Sequence, residues 1–156
     1  MNKIISSLTL FLLFATQASA MNHGVTGISI HNPWVRSAPA NAPVLGVFMQ
    51  INNKTNNAVK LLSADADGYK RVEIHRTLND NGLMKMVKQP FAPISAGGKL
   101  QLKPGSWHIM LIKPDKVPSK GSMVAIKLEF DNGTMQTVHA EVKSGQKMPM
   151  NDNHGH

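Results

Sequence analysis

KRVEIHRTLNDNGLMKMVK, residues Lys70–Lys88, decides how the rest of the chain is read. Asn79-Asp80-Asn81-Gly82 is a turn signal, and the arms on either side carry the β-branched and long apolar residues of strands. The stretch therefore predicts two strands, Lys70–Thr77 and Leu83–Lys88, joined by a four-residue loop. That loop length places His75 directly opposite Met86. Opposed residues of an antiparallel pair share a face, with Cβ atoms about 4.5–5.5 Å apart. Outward from this hairpin the same texture continues. Strands are expected at Val25–Ile30, Val44–Asn52, Ala58–Ala64, Lys99–Leu102, His108–Ile112, Met123–Phe130 and Thr134–Val142. Gly, Pro, Asn and Asp clusters separate them, and no stretch sustains helical periodicity. Many short strands at this spacing predict an all-β antiparallel sandwich or barrel.

Four residues in this frame carry chemistry: His75, Met86, His108 and Met110. His108 and Met110 are two apart on one predicted strand and so share a face. Two strand pairs facing each other would gather two imidazoles and two thioethers around one point. Met84 shares the face of Met86 and is a substitute donor. Singly, a Met in a strand is core filler and a His is a surface residue. Together they are a soft donor set that prefers Cu(I) to Zn(II), Ca(II) or Mg(II). The chain has no Cys. A soft site without thiols suits an oxidising compartment, where paired thiols are lost as disulfides.

The N-terminus points to that compartment. Met1-Asn2-Lys3 is followed by an apolar run from Ile4 to Ala15 and an Ala18-Ser19-Ala20 cleavage pattern. Residues 1–20 read as a cleavable secretory signal peptide, which places the protein in the periplasm. Residues 21–143 form one domain with no further membrane-length apolar run, and residues 144–156 form a polar Met/His-rich tail. Cleavage after Ala20 leaves His23 third from a free amine, an arrangement whose nitrogens favour Cu(II). Met148, Met150, His154 and His156 are a second donor group in the tail, with an inert solvated tail as the other reading. The formal charge of +8 falls by one once Lys3 leaves. The lysines are scattered, which reads as a solvated surface, or as steering toward an acidic membrane-anchored partner. Nucleic acid is not an expected ligand of an exported protein, and a monomer is expected.

The spacing H-x10-M-x21-H-x-M resembles the signature of the PCuAC family of periplasmic copper chaperones. The segments Asn32–Asn53, Val72–Met86 and Ile94–Ile112 add to the likeness, which covers about residues 28–143. The resemblance implies a cupredoxin-like β-sandwich or barrel with Greek-key connections. It implies Cu(I) bound through His75, Met86, His108 and Met110. It also implies delivery to the binuclear copper centre of cytochrome c oxidase subunit II, or to another copper or thiol assembly chaperone. Some members carry a further Met just after the first His; here that stretch is Arg76-Thr77-Leu78. Trp107 beside His108 reads as packing or shielding of the site, or as plain core.

Other function classes lack their parts. A blue-copper centre needs a Cys thiolate. A metal hydrolase needs His and carboxylate ligands with an open water position. Near the motif only Glu73 and Asp80 are candidates, and Glu73 reads first as a solvent-facing edge charge, with support of His75 as the other role. The sequence therefore predicts a carrier and not an enzyme. A copper buffer or scavenger for copper tolerance, without a dedicated client, is the competing function.

Overall fold

The computed structural model describes residues 27–145. The expected signal peptide, His23, Met148, Met150, His154 and His156 lie outside the described residues. Within them the chain forms strands β1 (Ile28–Arg36), β2 (Val44–Asn53), β3 (Val59–Asp65), β4 (Tyr69–Asp80), β5 (Leu83–Lys88), β6 (Ala92–Ile94), β7 (Lys99–Leu102), β8 (Trp107–Pro114), β9 (Met123–Phe130) and β10 (Met135–Lys143). The described residues contain no helix, so none is long and apolar enough to cross a membrane.

The strands are hydrogen-bonded in the order β5-β4-β8-β7-β2-β1-β10-β9-β3-β6, with β8 also pairing β2. Period-two alternation builds the core from this sheet. In β9, Val124, Ile126, Leu128 and Phe130 are buried while the residues between them are exposed. In β8, Ile109 and Leu111 are fully buried. These join Val35, Val47, Ile51, Leu61 and Val142 in one continuous hydrophobic cluster, so a single sheet wraps one core. β5 contributes nothing to it: all of its residues are exposed.

Four details depart from the sequence reading, each for a local reason. The Lys70–Lys88 turn is Asn81-Gly82 alone, with both residues at positive φ (51° and 87°). An Asn-Gly pair adopts the two-residue hairpin turn that demands this conformation. Asn79 Oδ1 accepts from Gly82 N–H at 2.8 Å and secures it. Asp80 then pairs with Leu83, and Met86 falls opposite Thr77, not His75, which faces Lys88. The second departure is β1, which continues past Asn32-Pro33 through a register shift between His31 and Trp34, with Asn32 at φ 50°. A bulge accommodates the missing proline donor. The third is β6, a short edge strand against β3 containing Pro93, a residue that argues against a strand when read alone. The fourth is direction: β1 and β10 pair in parallel, with Arg36 beside Lys143, in an otherwise mostly antiparallel fold.

These packing differences set measurable stability differences. Leu111→Ala should cost about 2–5 kcal/mol, the usual loss for a buried leucine. Leu83, at 61 % exposure on β5, should cost within about 0.5 kcal/mol when changed to Ala. Chemical denaturation measures both, and equal losses would mean that β5 packs against the body of the protein.

Candidate metal centre

β8 pairs with β4 on one side and β2 on the other, and its alternation builds the site. Ile109 and Leu111 face the core, so His108 and Met110 face outward from it. Across the β4–β8 ladder His75 stands opposite His108 and Glu73 opposite Met110. On the other side Gly46 stands opposite Met110. Met86, His108 and Met110 line one cleft of about 150 Å³, together with Thr77, Phe48 and Arg36. The His75 and His108 ring centroids are 5.9 Å apart. The four residues therefore lie on one face of three adjacent strands, β5, β4 and β8, and not between two facing strand pairs; His75 stands beside His108 but does not itself line the cleft. The two-residue register difference in the hairpin preserves this, because a shift of two leaves every side chain on its face. Met84 shares that face but stands further along the hairpin, opposite Asn79, and does not line the cleft.

The two histidines are held in defined protonation patterns. His108 Nδ1 lies 2.9 Å from the Ser106 carbonyl oxygen. A carbonyl only accepts, so Nδ1 carries the proton and Nε2 presents a lone pair. His75 Nε2 lies 2.9 Å from Glu73 Oε2, and an ionised carboxylate likewise only accepts. That leaves the lone pair of His75 on Nδ1. His75 Nδ1 and His108 Nε2 are both buried and without a hydrogen-bond partner. Buried polar atoms are nearly always satisfied, and an unsatisfied one costs about 1–3 kcal/mol. Two such atoms on neighbouring rings, beside two thioethers, fit a metal-ion donor set.

Electrostatics agree with a neutral His108 ring and an anionic Glu73. Burial holds the His108 imidazole below the usual histidine range; the Ser106 carbonyl opposes this and the nearby His75 adds to it. The hydrogen bond from His75 holds the Glu73 carboxyl below its usual range; burial opposes it, and Lys88 and Arg71 reinforce it. Glu73 is thus not the free edge charge of the sequence reading. Its side chain is only 13 % exposed.

The aromatic wall is also not the expected one. Trp107 precedes His108 and so faces the other side of β8, where Arg76 lies over its ring at 5.2 Å. Phe48 walls the site instead, 6.4 Å from His108 and stacked at 4.7 Å on Trp34. Gly46 makes room for it, since a Cβ there would lie 2.9 Å from Phe48 Cζ. Phe48 follows Gly46 by two and shares its face, but only the β2–β8 pairing brings that face to the site. Among the described residues no three His, Cys, Asp or Glu side chains cluster as metal ligands. The donor set depends on methionine.

Solved structures of PCuAC domains superpose on the chain. The copper-bound PCuAC domain from PmoF2 matches with a TM-score of 0.67 at 18% identity, over 79% of this chain and 97% of that one. The solution structure of CuI-DR1885 from Deinococcus radiodurans matches with a TM-score of 0.60 at 27% identity, over 85% and 87%. The chain belongs to the LpqE-like family, described as "Putative lipoprotein LpqE-like", whose model matches residues 28–142. Protein RP573 of Rickettsia prowazekii is 31% identical over 114 residues, which are 70% of this chain. The matched part spans only 63% of the length of that relative. "Putative lipoprotein Lxx21020" of Leifsonia xyli is 27% identical over 152 residues, 85% of this chain and 90% of its own.

The tautomers give a direct check. In metal-free protein, nitrogen-15 NMR should show His108 protonated at Nδ1 near neutral pH. A proton on Nε2 would contradict the Ser106 bond and remove the free lone pair from the cleft.

Proposed function

We propose that this protein is an exported copper chaperone that holds one Cu(I) between His75 Nδ1, His108 Nε2 and the sulfurs of Met86 and Met110. The observation that carries this reading is the pair of buried, unpartnered nitrogens on the neighbouring rings of His75 and His108, with the Met86 and Met110 thioethers in the cleft that His108 lines. Neutral imidazole and thioether donors suit Cu(I), whose softness matches sulfur. The copper-bound PmoF2 domain and CuI-DR1885, which share the fold, support the choice of metal. Relatives described as lipoproteins support export, and the signal-like segment at residues 1–20 supports the periplasm as the compartment.

The client we propose is the binuclear copper centre of cytochrome c oxidase subunit II, reached directly or through another assembly chaperone. The geometry suits delivery. His108 is 4% exposed, whereas Met86 is 65% exposed on a strand with no buried residue. An incoming ligand can replace the outer thioether first while the histidines still hold the ion. Stepwise ligand exchange of this kind is the chemistry of a carrier. The competing reading, a copper buffer without a client, differs in phenotype: a deletion strain would lose survival at high copper and keep oxidase activity at low copper.

Auxiliary Cu(II) capture by His23 and by the tail residues Met148, Met150, His154 and His156 completes the proposal. The described chain leads toward the cleft at this end. Gly145 packs on Arg36, where an added Cβ would lie 2.9 Å from Nε, and Arg36 lines the cleft.

Two experiments test the proposal. Met86→Leu with Met110→Leu nearly conserves packing volume and should weaken Cu(I) at least tenfold while leaving the fold intact. Unchanged binding in a competition titration would place the site elsewhere. Removing residues 144–156 and replacing His23 should lower Cu(II) stoichiometry, read by electron paramagnetic resonance, and spare Cu(I). Equal Cu(II) stoichiometry would end the auxiliary role.

A further inference from the structure

Glu73 makes more contacts than its place in the motif requires. Its Oε2 accepts from His75 Nε2 at 2.9 Å. Its Oε1 accepts from Lys88 Nζ at 3.3 Å and meets Arg71 Nε at 3.4 Å. The two oxygens therefore divide their work: one holds the imidazole and the other is held by two cations. Lys88 is directly opposite His75 and lies two residues beyond Met86 on the same face. One carboxylate thus touches a proposed ligand and the strand that carries another.

Exposure decides which contact matters. Lys88 and Arg71 are 65 % and 60 % exposed. Exposed pairs of this kind are strongly screened by solvent and contribute little on their own. The contact with His75 joins side chains that are 14 % and 13 % exposed, so it is screened far less. A ring flip of His75 would displace the buried, unpartnered Nδ1 and leave the Glu73 carboxylate without its N–H. The cations bind the other oxygen and keep Oε2 turned toward the ring.

We infer that Glu73 is a positioning residue: it fixes the orientation and tautomer of His75 so that Nδ1 is presented to the metal, with Lys88 and Arg71 clamping the carboxylate in place. It does not touch the ion. A carboxylate on the remote nitrogen of a ligand imidazole also raises its donor strength, and loss of such a partner typically costs about 10–100-fold in metal affinity. This inference rests on the proposed copper site, and its test separates the two.

The test is a double-mutant cycle on the full chain, read by Cu(I) competition. Glu73→Ala should weaken Cu(I) by about 10–100-fold, and Glu73→Gln by less, because the amide oxygen still accepts from Nε2–H. In a His75→Ala background, Glu73→Ala should cost nothing further. An undiminished loss there would mean that Glu73 acts by general charge or through the fold; no loss in the single variant would mean that it is only an edge charge. Glu73→Gln carries the same test if Glu73→Ala does not fold. A readout without copper isolates the geometry. In metal-free protein, Glu73→Gln should move the His75 nitrogen-15 signals and leave those of His108 in place, whether or not the Met86→Leu, Met110→Leu variant upholds the copper site. Unmoved His75 signals would overturn the inference.

Discussion

The ladder between β4 and β8 is the constraint on which the rest of the structure depends. It sets Ile74 against Ile109 toward the core and His75 against His108 away from it. One set of backbone hydrogen bonds therefore serves packing and chemistry on opposite faces of the same residues. Slipping the ladder by one residue would bury the imidazoles and expose the isoleucines. The fully buried Ile109 and Leu111 resist that slip, so the hydrophobic core fixes where the donor atoms sit.

This coupling explains why so much of the site was legible in the sequence and where the reading failed. Face membership follows from parity along a strand, and parity is visible in H-x-M and in the alternation around Val72 and Ile74. Register is not. The four-residue loop put His75 opposite Met86, whereas Asn81-Gly82 turns the chain in two residues. The two registers differ by an even number, so the faces survived. The sandwich also followed from short strands and turn signals, but β6 and the parallel β1–β10 pair did not. Both depend on partners remote in sequence, which local pattern does not encode. The site expected between two facing strand pairs lies instead within one sheet, because β4 and β8, distant in sequence, are hydrogen-bonded neighbours.

Support around the donors was harder to read for the same reason. Trp107, adjacent in sequence to His108, belongs to the other face. Phe48, sixty positions away, walls the cleft because β2 pairs with β8 and Gly46 leaves its ring room. Glu73 shared the face of His75 in the sequence, and only the structure shows that its carboxylate is turned inward, with Lys88 and Arg71 on the other oxygen.

The energetic character of the cleft follows from these placements. Two buried nitrogens lack partners, a cost of about 1–3 kcal/mol each that the surrounding core must offset. Those atoms gain most from an incoming cation, and their rings are already oriented by Ser106 and Glu73, so little ordering opposes binding. The thioethers sit differently: Met110 is half-buried on β8, and Met86 stands on a strand with no buried residue. The donor set thus grades from fixed to free across three strands. A site made wholly of fixed donors would hold an ion tightly and release it slowly; one made wholly of free donors would pay the full ordering entropy at each binding event. Imidazoles on the packed sheet and one sulfur on the edge combine the two, which is the balance that the proposed Cu(I) carrier requires.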